Sequence, residues 1–446
     1  MLSLALPVTC QMLINVGINI MDTLMLSKLG EAQIAASSLA GQFINLFYIV
    51  CLGIGGGSAV MTAMYWGHRD MTSFKKVLTL MLRISLIIAC GFTLATALSP
   101  RGIFRLYTDG EAIIREGLRY FKWMAYSFVF QAITAPLSAV LRTARKTLIP
   151  LIASLCAFFL NIFVNWVFIF GNLGAPRLEI EGSAIGTITS YAVQAIIVSI
   201  YVFVIDKDIR YRVRDLFRPC IDKLREFIKF AAPVILSDTL LGLGMNGISV
   251  IGGHIGESFV AASAITSVVQ RLATVYGQGI YTAGSVIVGN TLGENDPERA
   301  QREAVSSFLV SAGMGVFASI VILLISGPFI SFYDITDETR AIARQLMYAT
   351  SINVVFHLTG GMLTKGVLRG GGDTRFLLVT DIIFLWLVSL PLAALAGLVW
   401  HLPAFWVYIF MKIEMAIKTI IGIFRLFSKK WIHIVRFEDD PQKQKA

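Results

Sequence analysis

Charge is scarce in this chain: Asp, Glu, Lys and Arg make up 15% of its 446 residues, against 56% hydrophobic, and the mean hydropathy is +0.72. A soluble domain of this length needs a far more polar surface, so the composition excludes a soluble globule. Cysteine is scarcer still. Cys10, Cys51, Cys90, Cys156 and Cys220 show no paired spacing and mostly fall inside apolar runs, which points to packing rather than disulfide, redox or metal chemistry. The five histidines are scattered, with no His-Glu-x-x-His or His-x-x-x-His for zinc. Gly53-Ile54-Gly55-Gly56-Gly57-Ser58 lacks the lysine of a phosphate-binding loop, so no ATP hydrolysis and no cofactor are expected. The glycines suit close helix packing instead.

What is present comes twice. Gly30-Glu31-Ala32-Gln33-Ile34-Ala35-Ala36-Ser37 returns about 226 residues later as Gly256-Glu257-Ser258-Phe259-Val260-Ala261-Ala262-Ser263. Ala5-Leu6-Pro7-Val8 returns as Ala231-Ala232-Pro233-Val234, and Gly53, Val60, Gly67 and Asp70 fall on Gly279, Val286, Gly293 and Asp296. The register then drifts by a residue or two, with Leu141-Arg142 meeting Leu368-Arg369. Duplicated membrane halves with a site at their interface are a recurring design of secondary transporters.

Apolar runs of roughly 20 residues or more span a bilayer core. On that measure the chain is an all-α polytopic membrane protein with twelve transmembrane helices in two pseudo-symmetric six-helix lobes. The expected spans are 2–27, 34–65, 77–98, 117–142, 147–171 and 183–205, then 227–252, 259–291, 303–327, 341–369, 376–400 and 403–427. The N-lobe is 1–205, a basic cytoplasmic linker follows at 206–226, the C-lobe is 227–427 and a cytoplasmic tail is 428–446. Met1-Leu2-Ser3-Leu4 carries no basic n-region, so no cleavable signal peptide is expected.

The net charge of +10 follows topology rather than nucleic acid. About 25 of the 38 cationic residues fall on the side that holds both termini, which predicts cytoplasmic termini in a cell (inner) membrane. The stretch from about Ile205 to Phe230 carries Arg210, Arg212, Arg214, Arg218, Lys223, Arg225 and Lys229, interleaved with Leu216, Phe217, Leu224, Phe227 and Ile228. That pattern suits an amphipathic segment on an anionic leaflet and equally a solvated connector.

Polar groups inside lipid are expensive unless they meet a partner or a cavity. Gln11, Asn15, Asn19 and Asp22 recur at helical spacing within an arc of roughly 80°, and Ser154, Asn161 and Asn165 within about 40°. Such stripes suit a hydrated cavity or cation site, with interhelical hydrogen bonding as the plainer reading. The second half offers Asp238, Met245, Asn246 and Ser249 in span seven, Thr266, Gln270, Thr274 and Gln278 in span eight, and Asp381 in span eleven. The expected substrate-cavity residues are therefore Gln11, Asn15, Asn19, Asp238, Met245, Asn246, Gln270, Gln278 and Asp381. Arg271 is expected to pair with Asp238 or Asp381. Lys412, Glu414 and Lys418 are not assigned to the site.

Taken in order, these residues resemble a known family. Pro7, Asp22-Thr23, Leu29-Gly30-Glu31, Leu141-Arg142, Asn161 through Phe168-Ile169-Phe170-Gly171, Gly182-Ser183-Ala184-Ile185-Gly186-Thr187 and Leu368-Arg369-Gly370-Gly371-Gly372-Asp373-Thr374 are similar to the multidrug and toxic compound extrusion (MATE) family. The resemblance runs from end to end and recurs in both halves. It implies an antiporter, not an enzyme, that exports organic cations or drugs in exchange for H⁺ or Na⁺. It also implies an N-lobe cation site, which by position falls on Asp22, Asn161, Asn165 and Thr187. Asn165 stands where the family commonly has a second Asp, which removes a formal negative charge from that site.

The expected cycle is exchange at Asp22, with neutralisation by H⁺ or Na⁺ biasing two states of the transporter. The 30 Phe and 15 Met suit a tolerant cavity for a cationic, amphipathic small molecule. A monomer in the lipid bilayer, with no nucleic-acid partner, is expected. The alternatives are a lipid-linked oligosaccharide flippase, which calls for extra spans and a cationic cavity, and a membrane-embedded transferase, which calls for a cluster of catalytic acids or metal ligands.

Overall fold

The computed structural model describes residues 1–333, 335–435 and 437, and these contain helices and no strand. The first half holds α1 (Leu2–Leu26), α2 (Glu31–His68), α3 (Met71–Leu98), α4 (Pro100–Arg105), α5 (Glu111–Met124), α6 (Ser127–Thr143), α7 (Leu148–Phe170) and α8 (Ile180–Ile200). The second half holds α9 (Ile221–Ile255), α10 (Glu257–Gly293), α11 (Pro297–Ser331), α12 (Asp337–Gly361), α13 (Thr374–Ile382), α14 (Leu390–Ala394) and α15 (Ala404–Phe427). Wider π-helical turns extend α8 through Tyr201–Ile205, α12 through Met362–Leu368 and the α13–α14 segment through Ile383–Ser389 and Leu395–Val399.

Among the described residues, ten helical stretches are long and apolar enough to cross a membrane, and eleven if the α5–α6 pair counts as one. The expected fourth span is not a straight helix, because α5 and α6 meet at 53°. Charge explains the break: within 14 residues α5 carries Glu111, Arg115, Glu116, Arg119 and Lys122. Arg119 is held by Glu116 at 3.0 Å and Glu181 at 3.1 Å. The twelfth expected span is α15, a helix of 24 residues whose Lys412, Glu414 and Lys418 make it too charged to be recognised by composition.

The chain divides into two compact units. One comprises Cys10–Ser58 and Asp70–Lys229; the other comprises Met1–Thr9, Ala59–Arg69 and the chain from Phe230 onward. Relative to the expected lobes, two short pieces of the first half pack with the second.

In the first of these units a core of Leu26, Ala36, Phe104, Phe121, Ile169 and Ala184 ties α1, α2, α4, α5, α7 and α8 together. The α7–α8 contact is set by small residues. A Cβ at Gly182 would lie 2.6 Å from the Phe168 backbone, and one at Gly186 would lie 2.0 Å from Asn165 Oδ1. Glycines four apart thus let α8 lie directly on α7.

The basic linker is packed against its own unit, and from Ile221 onward it is the start of α9. It folds back onto α3 and the α6–α7 turn. Ile209 and Tyr211 are fully buried, and the Tyr211 hydroxyl lies 2.8 Å from Thr79 Oγ1. Arg83 donates to the carbonyls of Leu216 and Arg218, at 3.0 Å in each case. Lys146 sits 2.5 Å from Asp206 and 2.7 Å from Asp208. Burial opposes its charge, but those two hydrogen bonds prevail and hold its pKa above the ordinary lysine value.

In the other unit the repeat shows itself in contacts. A Cβ on Gly67 would fall 1.9 Å from the Asn290 carbonyl oxygen, and one on Gly293 would fall 2.0 Å from that of Met64. Gly67 and Gly293 are repeat equivalents, and so are Met64 and Asn290. The C-terminal ends of α2 and α10 therefore cross backbone to backbone in a reciprocal, two-fold manner. Beyond α15, Trp431 is fully buried against Gly371 and donates to Gln301 Oε1 at 3.0 Å. His433 N–H donates to the Gly371 carbonyl at 2.8 Å.

Candidate ion-coupling and substrate sites

The α1 and α7 stripes meet. Asp22 Oδ1 accepts from Asn165 Nδ2 at 2.5 Å, and Oδ2 accepts from Thr187 Oγ1 at 3.3 Å. Asn165 Nδ2 also reaches Asn161 Oδ1 at 3.2 Å. Asn161 and Asn165 are fully buried and Thr187 nearly so. The close α7–α8 contact at Gly186 is what brings Thr187 and Asn165 to one carboxylate. Among the described residues no lysine, arginine or histidine forms an ion pair with Asp22. Its partners are neutral, and the set supplies carboxylate, amide and hydroxyl oxygens, the hard donors that suit a small monovalent cation. Asn165 Oδ1 and Asn161 Nδ2 are buried without partners, so the cluster retains unused hydrogen-bonding capacity. Tyr120 and Tyr191 bring their hydroxyls within electrostatic reach of Asp22.

Nearer the start of α1, Gln11 Nε2 donates to Ser154 Oγ at 3.2 Å, Gln194 Nε2 donates to the same oxygen at 2.7 Å, and Arg142 Nη1 reaches Gln11 Oε1 at 3.5 Å. Gln11 thus joins a buried amide–hydroxyl junction. Asn15 is half-buried and Asn19 exposed, and neither side-chain amide has a hydrogen-bond partner among the described residues.

The second half builds the corresponding junction from charges. Ser237 donates to Asp381 Oδ2. Lys418 Nζ stands 2.8 Å from Asp381 Oδ1 and 2.9 Å from Glu414 Oε2. Ser237, Asp381 and Lys418 fall within two residues of the repeat positions of Gln11, Ser154 and Gln194. Asp238 pairs with Arg369 Nη2 at 2.9 Å. Arg271 does not pair with either aspartate; it is exposed on α10. A helical wheel gives its face but not the helix opposite. Gln270 accepts from Tyr408 Oη at 3.0 Å, and Met245 Sδ lies 3.4 Å from Lys412 Nζ. Asn246 and Gln278 are exposed. Lys412, Glu414 and Lys418, which the sequence reading does not assign to the site, all lie among its candidates. The signal that marks them is present in the sequence, since each is an ionisable residue within an apolar helix.

These observations agree with the relationships of the chain. It matches the MatE family over residues 7–167 and 233–395, one match in each half. It is 25% identical to the probable multidrug resistance protein NorM of Agrobacterium fabrum over 410 residues, 88% of this chain and 85% of that protein. It is 20% identical to the uncharacterized transporter YisQ of Bacillus subtilis, covering 89% and 87% of the two chains. A crystal structure of a MATE protein in its bent conformation shares the fold with a TM-score of 0.84 at 20% identity, over 96% of this chain and 95% of that one. With a match in each half and a shared fold over nearly the whole length, the chain belongs to the MatE, or multidrug and toxic compound extrusion, family, whose members are transporters and not enzymes.

Proposed function

We propose that the protein is a secondary active antiporter, exporting amphipathic, drug-like organic molecules in exchange for an inward-moving monovalent cation. The observation that carries this reading is Asp22: a carboxylate inside a membrane span, held by Asn165 and Thr187, with no cationic partner among the described residues. A permanent ion pair has nothing to exchange, whereas a lone carboxylate among neutral donors gains from a cation that can arrive and leave. The multidrug names of several relatives support the substrate class.

A single carboxylate needs a single positive charge. Asn161, Asn165 and Thr187 supply neutral oxygens that suit Na⁺, but the missing second carboxylate favours H⁺. Binding of the ion rearranges the hydrogen bonds that Asn165 and Thr187 make to Asp22, changes how α1 meets α7 and α8, and so biases the alternation of the two halves. The Lys and Arg distribution supports an inner-membrane orientation with both termini cytoplasmic.

The test is efflux from proteoliposomes under separate H⁺ and Na⁺ gradients. Movement driven by the proton gradient with Na⁺ absent supports this reading. Movement driven by Na⁺ alone, at clamped pH with a protonophore, reverses the choice of ion. Movement independent of both gradients overturns the antiport.

A further inference from the structure

The charges of the second half do not balance in favour of a cationic guest. Its interior carries Asp238, Asp381 and Glu414 against Lys365, Arg369, Lys412 and Lys418. Arg369 is taken by Asp238, and Lys418 by Asp381 and Glu414. Lys365 and Lys412 are half-buried and form no ion pair among the described residues; Asp238, already held by Arg369, is within electrostatic reach of Lys365, and Glu414, already held by Lys418, is within reach of Lys412. The only polar contact of Lys412 there is the Met245 sulfur, a weak acceptor.

These groups form one stripe. The helices α12 and α15 run side by side in the same direction: Phe405 N–H donates to Gln345 Oε1, Thr419 Oγ1 donates to the Phe356 carbonyl, and Gly422 lies against Leu363. That register sets Lys412 within about one turn of Asn353. Along α12, His357 follows Asn353 by four residues. In an uninterrupted α-helix Lys365 would then lie about 80° off His357. The π-helical turns of Met362–Leu368 use an extra residue per turn and return Lys365, and Arg369 after it, to the His357 face. His357 is accordingly within electrostatic reach of both Lys365 and Lys412.

Donors on this stripe outnumber acceptors. Asn353 is 4% exposed, and its Nδ2 has no partner. The Nε of Arg369 is likewise buried and unpartnered. Buried donors without acceptors are costly, and unpaired ammonium groups inside a membrane face either water or a ligand. A ligand that satisfies both conditions brings negative charge and several acceptor oxygens.

We infer that the stripe Asn353–His357–Lys365–Arg369, with Lys412 beside it, binds an oxyanion group of the transported molecule, so that the substrate is an organic anion or a zwitterion and not a simple organic cation. The inference rests on the antiport reading and narrows its substrate class. A carboxylate suits the site best: its two oxygens accept from Lys412 and Asn353 at one end of the stripe or from Lys365 and Arg369 at the other.

The test separates binding from transport. In nanodiscs of neutral phosphatidylcholine, 5-carboxyfluorescein should bind the full-length protein. Lys412→Gln and Lys365→Gln should each weaken it about tenfold or more, as loss of a charged hydrogen bond does, with Lys→Arg at either position restoring most of it. Ethidium binding should change less than about twofold in the same variants. Failure of the wild type to bind the anion, or unchanged affinity in the Gln variants, overturns the inference. Displacement of the dye by phosphatidylglycerol or a polyprenyl pyrophosphate, but not by benzoate, makes the occupant a lipid headgroup and overturns it as well. If the Gln variants do not fold, competition on the wild type decides: displacement of 5-carboxyfluorescein by benzoate supports the inference, and its absence overturns it. Absence of gradient-driven movement of either dye counts against the antiporter alone, because binding of the anion is read without a gradient.

Discussion

In the first half Gln11, Ser154 and Gln194 meet as amide, hydroxyl and amide; in the second, Ser237, Asp381 and Lys418 meet as hydroxyl, carboxylate and ammonium. The scaffold at these positions is repeated, yet one copy is neutral and the other carries its own counter-ion. The first half instead places its lone carboxylate about three turns further along α1, at Asp22, among neutral donors. A carboxylate already compensated by a tethered lysine contributes to structure, and one left uncompensated is available for exchange. Duplication supplied two frames, and the placement of a cation within each separates the roles.

The sharpest way to break that comparison is Asp22→Asn. The amide preserves the shape but does not titrate, so gradient-driven efflux should fall by at least about a hundredfold, roughly the 3 kcal/mol expected for a charged interaction lost from a buried site. Thermal stability in detergent should be unchanged. Retained coupling across several pH values would show that the exchange site lies elsewhere.

The converse holds for Lys418→Met. Removing this ammonium leaves Asp381 and Glu414 buried without compensation, and should cost about 3–5 kcal/mol, read as a large drop in melting temperature. Restoring neutrality with Asp381→Asn and Glu414→Gln in the same chain should recover most of the loss. Recovery of stability without recovery of transport would make Lys418 a functional group as well as a structural one.

Asn165→Asp places a second carboxylate beside Asp22 and makes the first half more acidic. It should raise Na⁺ affinity about tenfold, near 1.4 kcal/mol, measured by Na⁺-dependent quenching or transport at clamped pH. No gain in Na⁺ response would mean that the two carboxylates share a proton at that pH. The smallest effect belongs to Gln194→Leu, which removes one neutral hydrogen bond to Ser154 and should cost about 1 kcal/mol, well below the loss at the equivalent Lys418. Equal costs at the two positions would erase the proposed difference between the halves.

The repeat is legible in the sequence because an offset survives wherever small residues set helix contacts. The polar stripes are legible because an α-helix fixes which residues share a face, and Asp22, Asn161, Asn165 and Thr187 stand out on that basis together with the family resemblance. A helical wheel does not say which helix stands opposite, so it offers Arg271 to Asp238 where Arg369 is the partner. Nor does hydropathy foresee a 53° bend between two helices, or a linker that buries Tyr211 beneath its arginines. The π turns lie beyond reach for the same reason: they change the phase of α12 after His357, and a fixed 100° step puts Lys365 off the stripe.

The crossing of α2 over α10 has a further consequence for how this gene can change. Gly67 is pressed against Asn290, and Gly293 against Met64, at distances that leave no room for a methyl group on either side. A substitution in one copy therefore collides with the other copy's main chain, which no compensating side chain there can relieve. At this one point the two descendants of the duplication remain hostage to each other: each is free to diverge elsewhere, but both must keep the smallest residue here for either to stay in place.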